Sequence, residues 1–234
     1  GYEDVTAELE RMQQEAEAAA LAGIAKKHAQ SLPQPILIRN VRVFDAKTKR
    51  LGEPADVYVN DGLIAGIFPA ESAARDPATI IEGAGRALLP GLFDMHSHED
   101  AWNSALQIAG GVTTSRDMGN FNDHLAKLGA DIAAGRALGP HIEPAGYIEG
   151  ESPFASRGGF VVASVAEAEN AVDWYAQRGF RQVKLYNSIK PEWAQPIAAY
   201  AHKRGLRVSG HVPAFSRSER VVREMEALLG RDSG

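Results

Sequence analysis

The stretch Leu88-Leu-Pro-Gly-Leu-Phe-Asp-Met-His-Ser-His98 decides the fold class of this chain. An apolar run passes through Pro-Gly and gives way to alternating polar and apolar positions, which is typical of a β-strand. Asp94, His96 and His98 occupy alternate positions, so we expect their side chains on one side and the intervening ones, including Ser97, on the other. A His-x-His pair on a strand lets two imidazoles reach one zinc-like ion. The stretch therefore predicts a strand that ends in part of a metal site.

The motif PGLFDMHSH, residues 90–98, resembles the first-strand signature of the metal-dependent amidohydrolase superfamily. The resemblance implies an α/β fold, namely a (β/α)8 or TIM-type barrel, which in this superfamily is commonly accompanied by a small β-subdomain. Active sites of such barrels lie at the C-terminal ends of the strands. Further candidate ligands are therefore expected where later strands end.

Composition limits the kinds of site that the chain can build. It has 234 residues, a formal net charge of −5 and no cysteine. Disulfides and thiolate metal sites are excluded, so a metal must be bound by histidine, carboxylate or modified lysine. Neither nucleic acid nor a membrane is an expected partner, because the chain lacks a strongly basic balance, a run of ~18 apolar residues and a signal segment. We expect a soluble protein, in the cytoplasm rather than in the periplasm or outside the cell, although Gly1 is compatible with a missing upstream piece.

Three segments follow one another along the chain. Residues 1–34 predict a helical N-terminal segment and a linker, because good helix formers dominate until two prolines interrupt them. Residues 35–86 predict a small β-subdomain, in which Asp61-Gly62 lies between two β-rich runs and indicates a hairpin. Residues 87–234 predict part of the barrel, because apolar strands alternate with helices.

Five barrel strands are predicted, each followed by a helix. The strands cover residues 88–98, 111–119, 142–148, 182–186 and 206–212, and the helices lie near 100–109, 122–138, 166–178, 193–204 and 216–230. A closed barrel of this type needs eight units and about 250 residues. About the first five units are therefore present, and three are expected to be missing.

Lys184 and Tyr186 are the candidates on the fourth predicted strand. Val183 and Leu185 are expected to face the helices, which directs Lys184 and Tyr186 into the barrel. Burial lowers the pKa of a lysine and so raises the fraction of neutral amine that reacts with carbon dioxide. In two-metal members of the superfamily that this sequence resembles, a fourth-strand lysine often forms such a carbamate, and Lys184 stands at the matching position.

His211 ends the fifth predicted strand and matches the fifth-strand histidine ligand of the same superfamily. The resemblance implies two divalent ions, expected to be Zn²⁺, with His96 and His98 on one ion and His211 on the other. A carboxylated Lys184 is expected to bridge them. Lys184 and His211 are the expected catalytic residues, and Asp94 is expected to orient an imidazole.

Charged residues at the ends of the second and third predicted strands form a further group. Arg116, Asp117 and Glu149, together with Tyr186 of the fourth strand, are expected to contact the substrate or to support the ligands. Solvated loop charges would give the same pattern at the first three positions.

The resemblance implies a hydrolase that cleaves a carbon–nitrogen bond through a metal-activated water. The segments GVTTSRDMGN, QVKLYNS and GHVPAF resemble the imidazolonepropionase-like and prolidase-like branch, which implies a small amide, cyclic amide or dipeptide as substrate. A single-metal deaminase of the same superfamily and a non-catalytic, truncated fragment remain as alternatives. The superfamily's sixth-strand histidine and eighth-strand aspartate have no counterpart here, so this chain alone is expected to be inactive. Its open strand edges predict a homo-oligomer or partial unfolding.

Overall fold

The computed structural model describes residues 3–72 and 76–214. The helix predicted near residues 216–230 lies outside these ranges. The chain divides into two compact units, of which one is His28–Gly91 and the other combines the chain up to Lys27 with the chain from Leu92 onwards. Within the described ranges, no helix is both long and apolar enough to span a bilayer.

The unit His28–Gly91 is built on a five-stranded sheet with the order β3-β2-β1-β4, in which β5 also pairs with β1. Its strands are β1 (Ile36–Asp45), β2 (Arg50–Asn60), β3 (Leu63–Pro69), β4 (Thr79–Glu82) and β5 (Ala87–Leu88). The pairs β1–β2 and β2–β3 are antiparallel, and β4 and β5 run parallel to β1. Asp61 and Gly62 join β2 to β3 with φ values of 50° and 74°, as a two-residue hairpin turn requires. The predicted small sheet and its hairpin are confirmed.

The other unit alternates parallel strands with helices. Its strands are β6 (Leu92–Ser97), β7 (Val112–Asp117), β8 (His141–Pro144), β9 (Gly146–Gly150), β10 (Phe160–Val162), β11 (Gln182–Leu185) and β12 (Arg207–Gly210). The described residues form the helices α1 (Glu3–His28), α2 (Ala101–Ala109), α3 (Asn122–Ala133), α4 (Val165–Gln177) and α5 (Pro191–Lys203). Parallel pairing joins β6 to β7, β7 to β8, β9 to β11 and β11 to β12. This order confirms the predicted partial TIM-type barrel.

Two of these strands, β8 and β9, are halves of one barrel strand. Only Ala145 separates them; β8 pairs with β7, and β9 pairs with β11. The five predicted strands therefore correspond to β6, β7, β8 with β9, β11 and β12. The sequence did not predict β10, which pairs with β9 through Phe160 and Ile148.

The core of this unit packs α4 and α5 against the strands β9, β11 and β12. Its buried residues include Ile148, Val183, Leu185 and Val208 from the strands and Val172, Tyr175, Ile197 and Ala201 from the helices. Val183 and Leu185 are 0% and 1% exposed. Because successive side chains of a strand point to opposite sides, Lys184 points into the barrel. The alternation predicted for β11 is confirmed.

Strand β6 is irregular where it carries the His-x-His motif. Asp94 pairs with Ser115 of β7 and Ser97 pairs with Asp117, with a register shift between the two pairs. This β-bulge interrupts the regular alternation of side chains. As a result, Gln107 Nε2 of α2 donates to Asp94 Oδ2 at 3.3 Å and to Ser97 Oγ at 2.9 Å. The prediction that Asp94 and Ser97 lie on opposite sides of the strand is therefore wrong.

Candidate metal centre

The ends of β6, β11 and β12 bring the four predicted ligands close enough for their charges to interact. The rings of His96 and His98 have their centroids 5.5 Å apart. Burial lowers the pKa of His96, and the positive charges of Lys184 and His98 lower it further. Burial is also the main cause of the lowered pKa of His211, followed by the charges of Lys184, His96 and His98. The lowered pKa values favour the neutral imidazoles that bind metal ions.

Lys184 is buried inside the partial barrel, with 1% of its surface exposed. Its Nζ lies 5.0 Å from the centroid of the Tyr186 ring. In the ranges that the structure describes, no carboxylate lies within ion-pair distance of it. Burial lowers its pKa; Asp117 acts in the opposite direction, and the charge of Arg116 adds to the lowering. A buried amine without an ion-pair partner is costly, which makes a structural role alone a poor explanation for it.

A main-chain carbonyl fixes the ring of His98. Its Nδ1 lies 2.7 Å from the carbonyl oxygen of Gly119. Because a carbonyl oxygen only accepts hydrogen bonds, Nδ1 must carry the proton and Nε2 keeps its lone pair. His98 is thus held in the tautomer that offers Nε2 to a metal.

Asp117, at the end of β7, supports that carbonyl. Its side chain is buried, and it accepts the main-chain N–H of Gly119 at 2.9 Å and of Glu99 at 2.7 Å. Asn120 Nδ2 donates to the same carboxylate at 3.1 Å and to the carbonyl oxygen of Glu99 at 2.6 Å. The carboxylate of Asp117 therefore links the segments that carry His98 and its acceptor.

Glu99 is a buried carboxylate that the sequence did not reveal. It is 1% exposed, and its two oxygens accept from Ser97 Oγ at 2.6 Å and from Ser104 Oγ at 2.5 Å. Ser97 Oγ in turn accepts from Gln107 at 2.9 Å. In the sequence, an acidic residue before a helix is typical of a solvated helix start. The position of Glu99 directly after His98 is the one signal that could have identified it.

An amide side chain holds the ring of His211. The Nδ1 of His211 lies 2.7 Å from Oδ1 of Asn187. The ring also packs on Tyr186, with the centroids 4.4 Å apart, and Tyr186 packs on Tyr147 at 5.0 Å. Tyr186 thus lies beside two of the predicted ligands, Lys184 and His211. Asn187 was not predicted, because an asparagine after a strand is typical of a turn.

Asp94 contacts the main chain of the ligand strand. Its Oδ1 accepts the main-chain N–H of His96 at 3.0 Å, and its Oδ2 accepts from Gln107. The expected hydrogen bond to an imidazole ring is not found among the described residues. The bulge in β6 explains the difference, because it turns the Asp94 carboxylate toward α2.

Arg116 lies among the strands rather than in a solvated loop. Its Nε donates to Gln182 Oε1 at 2.7 Å and its Nη2 donates to Ser209 Oγ at 3.2 Å. Burial lowers the pKa of the guanidinium, and the charge of Arg207 adds to this effect. Arg116 therefore links β7 to β11 and β12.

The carboxylate of Glu149 is also engaged within the protein. It is fully buried at the end of β9. Its Oε1 accepts the main-chain N–H groups of Gly150 at 2.9 Å and Ser188 at 2.7 Å, and its Oε2 accepts that of Ser156 at 3.4 Å. Glu149 thus ties the turn after β11 to the end of β9.

The donor atoms fit a divalent metal by their chemistry. The ring of His98 has Nδ1 engaged by a carbonyl oxygen, which leaves Nε2 for ligation, and the ring of His211 lies beside the amide of Asn187. Imidazole nitrogens of this kind suit zinc and related ions. No three His, Asp or Glu side chains in residues 3–72 and 76–214 form a complete metal site by themselves. A metal bound here would need ligands in addition to the imidazoles, and the buried Lys184 lies close enough for its charge to act on His96 and His211.

Known proteins match this chain over most of its length but over only part of theirs. No protein-family model matches the sequence. An enamidase from Eubacterium barkeri is 31% identical over 177 residues, which cover 68% of this chain and 45% of that protein. An adenine deaminase from Chelativorans sp. is 30% identical over 210 residues, which cover 82% of this chain and 34% of that protein. The solved structure of bottromycin amidohydrolase aligns with a TM-score of 0.67 at 24% identity and covers 89% of this chain and 44% of that one. The chain therefore spans less than half the length of each.

Proposed function

The chain belongs to the amidohydrolase superfamily and matches the N-terminal portion of its members. We propose that the whole protein is a metal-dependent hydrolase of carbon–nitrogen bonds. The observation that carries this proposal is Lys184, an amine with 1% exposure on the interior side of β11. It lies close enough to His96 and His211 for its charge to lower their pKa values. A cluster of nitrogen groups that includes a buried lysine is suited to binding a metal ion or an anion.

We assign His96 and His98 to one divalent ion and His211 to a second, both proposed to be Zn²⁺. Lys184 would bridge them as a carbamate. In that modification Nζ forms a bond to the carbon of carbon dioxide and releases a proton, so that a neutral amine becomes an anionic oxygen ligand. The ions would supply a water of lowered pKa and polarise the scissile carbonyl.

The protein's own contribution is to hold these donors in place. The Gly119 carbonyl fixes His98, and the Tyr186 ring packs on His211. Asp117 fixes the main chain on both sides of the His98 contact. Prior ordering of ligands lowers the cost of binding a metal in one geometry.

The proposed substrate is a small molecule with an amide, cyclic amide or dipeptide bond. The relatives of the chain are hydrolases that act on carbon–nitrogen bonds. The match to an adenine deaminase makes deamination the second candidate. The two candidates differ in their need for Lys184, because a single-metal deaminase uses no bridging ligand.

The test uses the full-length protein that contains this sequence. We expect Lys184→Ala to lose bound zinc, measured by mass spectrometry, and to lower kcat/KM on a panel of amides, cyclic amides and dipeptides by more than about 100-fold. Substitutions that only disturb the support of a ligand already cost about 10–100-fold. Lys184→Glu should regain part of the zinc, because it supplies a carboxylate on a shorter stem.

The matched control is Lys127→Ala, which removes the same charge from a side chain that is 79% exposed. It should keep both zinc and turnover. Normal zinc content and amide hydrolysis in Lys184→Ala would overturn the proposal. Adenine deamination with one zinc per chain, unchanged by Lys184→Ala, would establish the second candidate instead.

A further inference from the structure

The third barrel strand separates from the second at its C-terminal end. Strand β8 pairs with β7 as far as Pro144, but after Ala145 the chain continues as β9, which pairs with β11 on one side and with β10 on the other. The short strand β10 therefore takes the place beside β9 that β7 would hold in a regular barrel. Residues 151–159 connect β9 to β10. This loop thus lies at the end of the strands where barrel active sites are formed.

Both ends of the loop 151–159 are fixed. The main-chain N–H of Glu151 donates to the carbonyl oxygen of Val162 at 2.9 Å. At the other end, Gly159 has a φ of +62°, and a methyl group on it would lie 2.4 Å from the carbonyl oxygen of Tyr147. Such a close approach and such a φ favour glycine. The pairing of β10 and the packing of Gly159 therefore give the loop a defined position.

The loop also contacts the turns that follow two other barrel strands. Ser152 Oγ donates to Ser188 Oγ at 2.9 Å, in the turn after β11. A methyl group on Gly158 would lie 3.5 Å from the main-chain oxygen of Asn120, in the turn after β7. The same two turns contact the imidazoles of two proposed metal ligands. The loop therefore extends from one of these turns to the other, beside the proposed metal centre.

Phe154 lies in this loop and is 86% exposed, more than any other large apolar residue in the described ranges. Its main-chain N–H donates to Ser152 Oγ at 3.1 Å. The backbone that carries the ring is thus held, while the ring itself is uncovered. An aromatic ring on an ordered backbone loses little conformational entropy when a ligand covers it, and covering it removes a large apolar area from water. Phe154 is therefore suited to contact an apolar group of a bound molecule.

We propose that Phe154 is a specificity-determining residue that contacts an apolar group next to the scissile carbon–nitrogen bond of the substrate. This inference rests on the proposed function and narrows its substrate class. The substrate is an amide, cyclic amide or dipeptide that carries an alkyl or aromatic group beside that bond. A substrate with only a methyl group at that place lacks most of the contact with the ring.

The first measurement compares kcat/KM values in the full-length protein that contains this sequence. Each substrate class is offered as matched pairs that differ only beside the scissile bond, with a methyl group in one member and a hexyl or benzyl group in the other. The larger group is placed on the acyl side in one pair and on the amine side in another. We expect the unsubstituted protein to prefer the larger group in one of these pairs. Phe154→Ala should lower that preference about tenfold, and Phe154→Leu, which remains apolar, should keep most of it.

The ratio of the two kcat/KM values separates specificity from stability, because a loss of folded protein lowers both values equally. Leu106→Ala is the control, since it removes an apolar side chain from a 71% exposed position of α2 and should keep the preference. Hydrolysis without a preference for the larger group, or with the same preference in Phe154→Ala, would overturn the role of Phe154 alone. Absence of hydrolysis of every pair by the unsubstituted protein would overturn the proposed function and this inference with it.

The second measurement detects the contact without turnover. The full-length protein is prepared with 4-fluorophenylalanine in place of Phe154, and its ¹⁹F resonance is followed while the products of the preferred pair are added. We expect the resonance to move with the product that carries the larger group and to stay with the methyl product. The same label in place of Phe93, at a 66% exposed position of β6, is the control and should respond to neither. A label at position 154 that responds to neither product, or equally to both, would overturn the proposal.

Discussion

Strands β11 and β6 carry ligands of the same proposed site, yet the protein positions them by different means. All of β11 is buried between β9 and β12, whereas β6 is mostly exposed and, in the described part of the chain, pairs only with β7. Lys184 takes its direction from the apolar neighbours that pack on the helices. His98 takes its direction from hydrogen bonds around Asp117 and Gly119. A ligand on an inner strand is oriented by the core, and a ligand on an edge strand needs a polar network of its own.

The largest effect should come from a truncation in the inner strand. Leu185 is 1% exposed, so Leu185→Ala leaves a cavity in the core. We expect it to lower the free energy of unfolding by about 3 kcal/mol. Phe93→Ala on β6, at a residue that is 66% exposed, should cost less than about 0.5 kcal/mol. Urea denaturation measures both. Equal losses would mean that the outer surface of β6 is covered in solution, and the contrast between the strands would fail.

The polar network should show the next largest effect. Asp117→Ala leaves buried N–H groups without an acceptor, and we expect a loss of about 2 kcal/mol. Asp117→Asn keeps one acceptor oxygen and should lose less. Asp131→Ala removes the same charge from exposed ion pairs and should cost at most about 1 kcal/mol. Urea denaturation of the three variants provides the comparison, and an Asp117→Ala loss no larger than that of Asp131→Ala would show that the network does not stabilise the strand ends.

The open edge of β6 should make the 234-residue chain self-associate. Leu92, Phe93 and Met95 are between 55% and 66% exposed there, and an exposed apolar edge strand favours pairing with another chain. Phe93→Lys should raise the dissociation constant about tenfold, or about 1.4 kcal/mol. Leu106→Lys, at a 71% exposed position of α2, is the control. Light scattering that finds only monomer over the accessible concentration range would contradict this expectation.

The smallest effect concerns pH. The pKa of His211 is lowered from 6.5 in the folded protein, so the unfolded chain binds the proton first as the pH falls. The contribution of His211 to the free energy of unfolding is therefore fully present above pH 6.5, where the ring is neutral in both states. It is lost as the pH falls toward the folded-state pKa. When the pH is lowered from about 7.5 to about 5.5, the free energy of unfolding of the metal-free His211→Gln variant should fall by less than that of the unsubstituted chain, as urea denaturation measures it. A steeper loss in His211→Gln than in the unsubstituted chain would contradict this prediction.

Sequence patterns predicted those parts of the molecule that depend on local chemistry or on packing of both faces. The alternation in β11 was correct because helices cover one side and the barrel interior covers the other. The hairpin at Asp61-Gly62 was correct because positive φ at both positions is a local requirement. The carboxyl ends of parallel strands meet by topology, which is why His96, Lys184 and His211 were expected close together.

The remaining features depend on contacts that local patterns do not contain. The bulge in β6 arises in its pairing with β7. Asn187 meets a ring 24 positions further along the chain, and the sequence around it is that of an ordinary turn. The buried carboxylate of Glu99 accepts hydrogen bonds from the hydroxyl groups of Ser97 and Ser104, and only the folded chain brings the three side chains together.

The irregular register of β6 has a consequence for protein design. A designer who grafts Asp94-Met-His-Ser-His98 onto a regular strand of another barrel would place the aspartate and both histidines on one side of that strand. In this protein the bulge turns Asp94 toward α2 and gives Ser97 the same neighbour, Gln107. The transplanted aspartate would then enter the binding cavity and add a negative charge among the imidazoles. Transfer of this site to another barrel therefore requires the motif together with its register shift against the neighbouring strand.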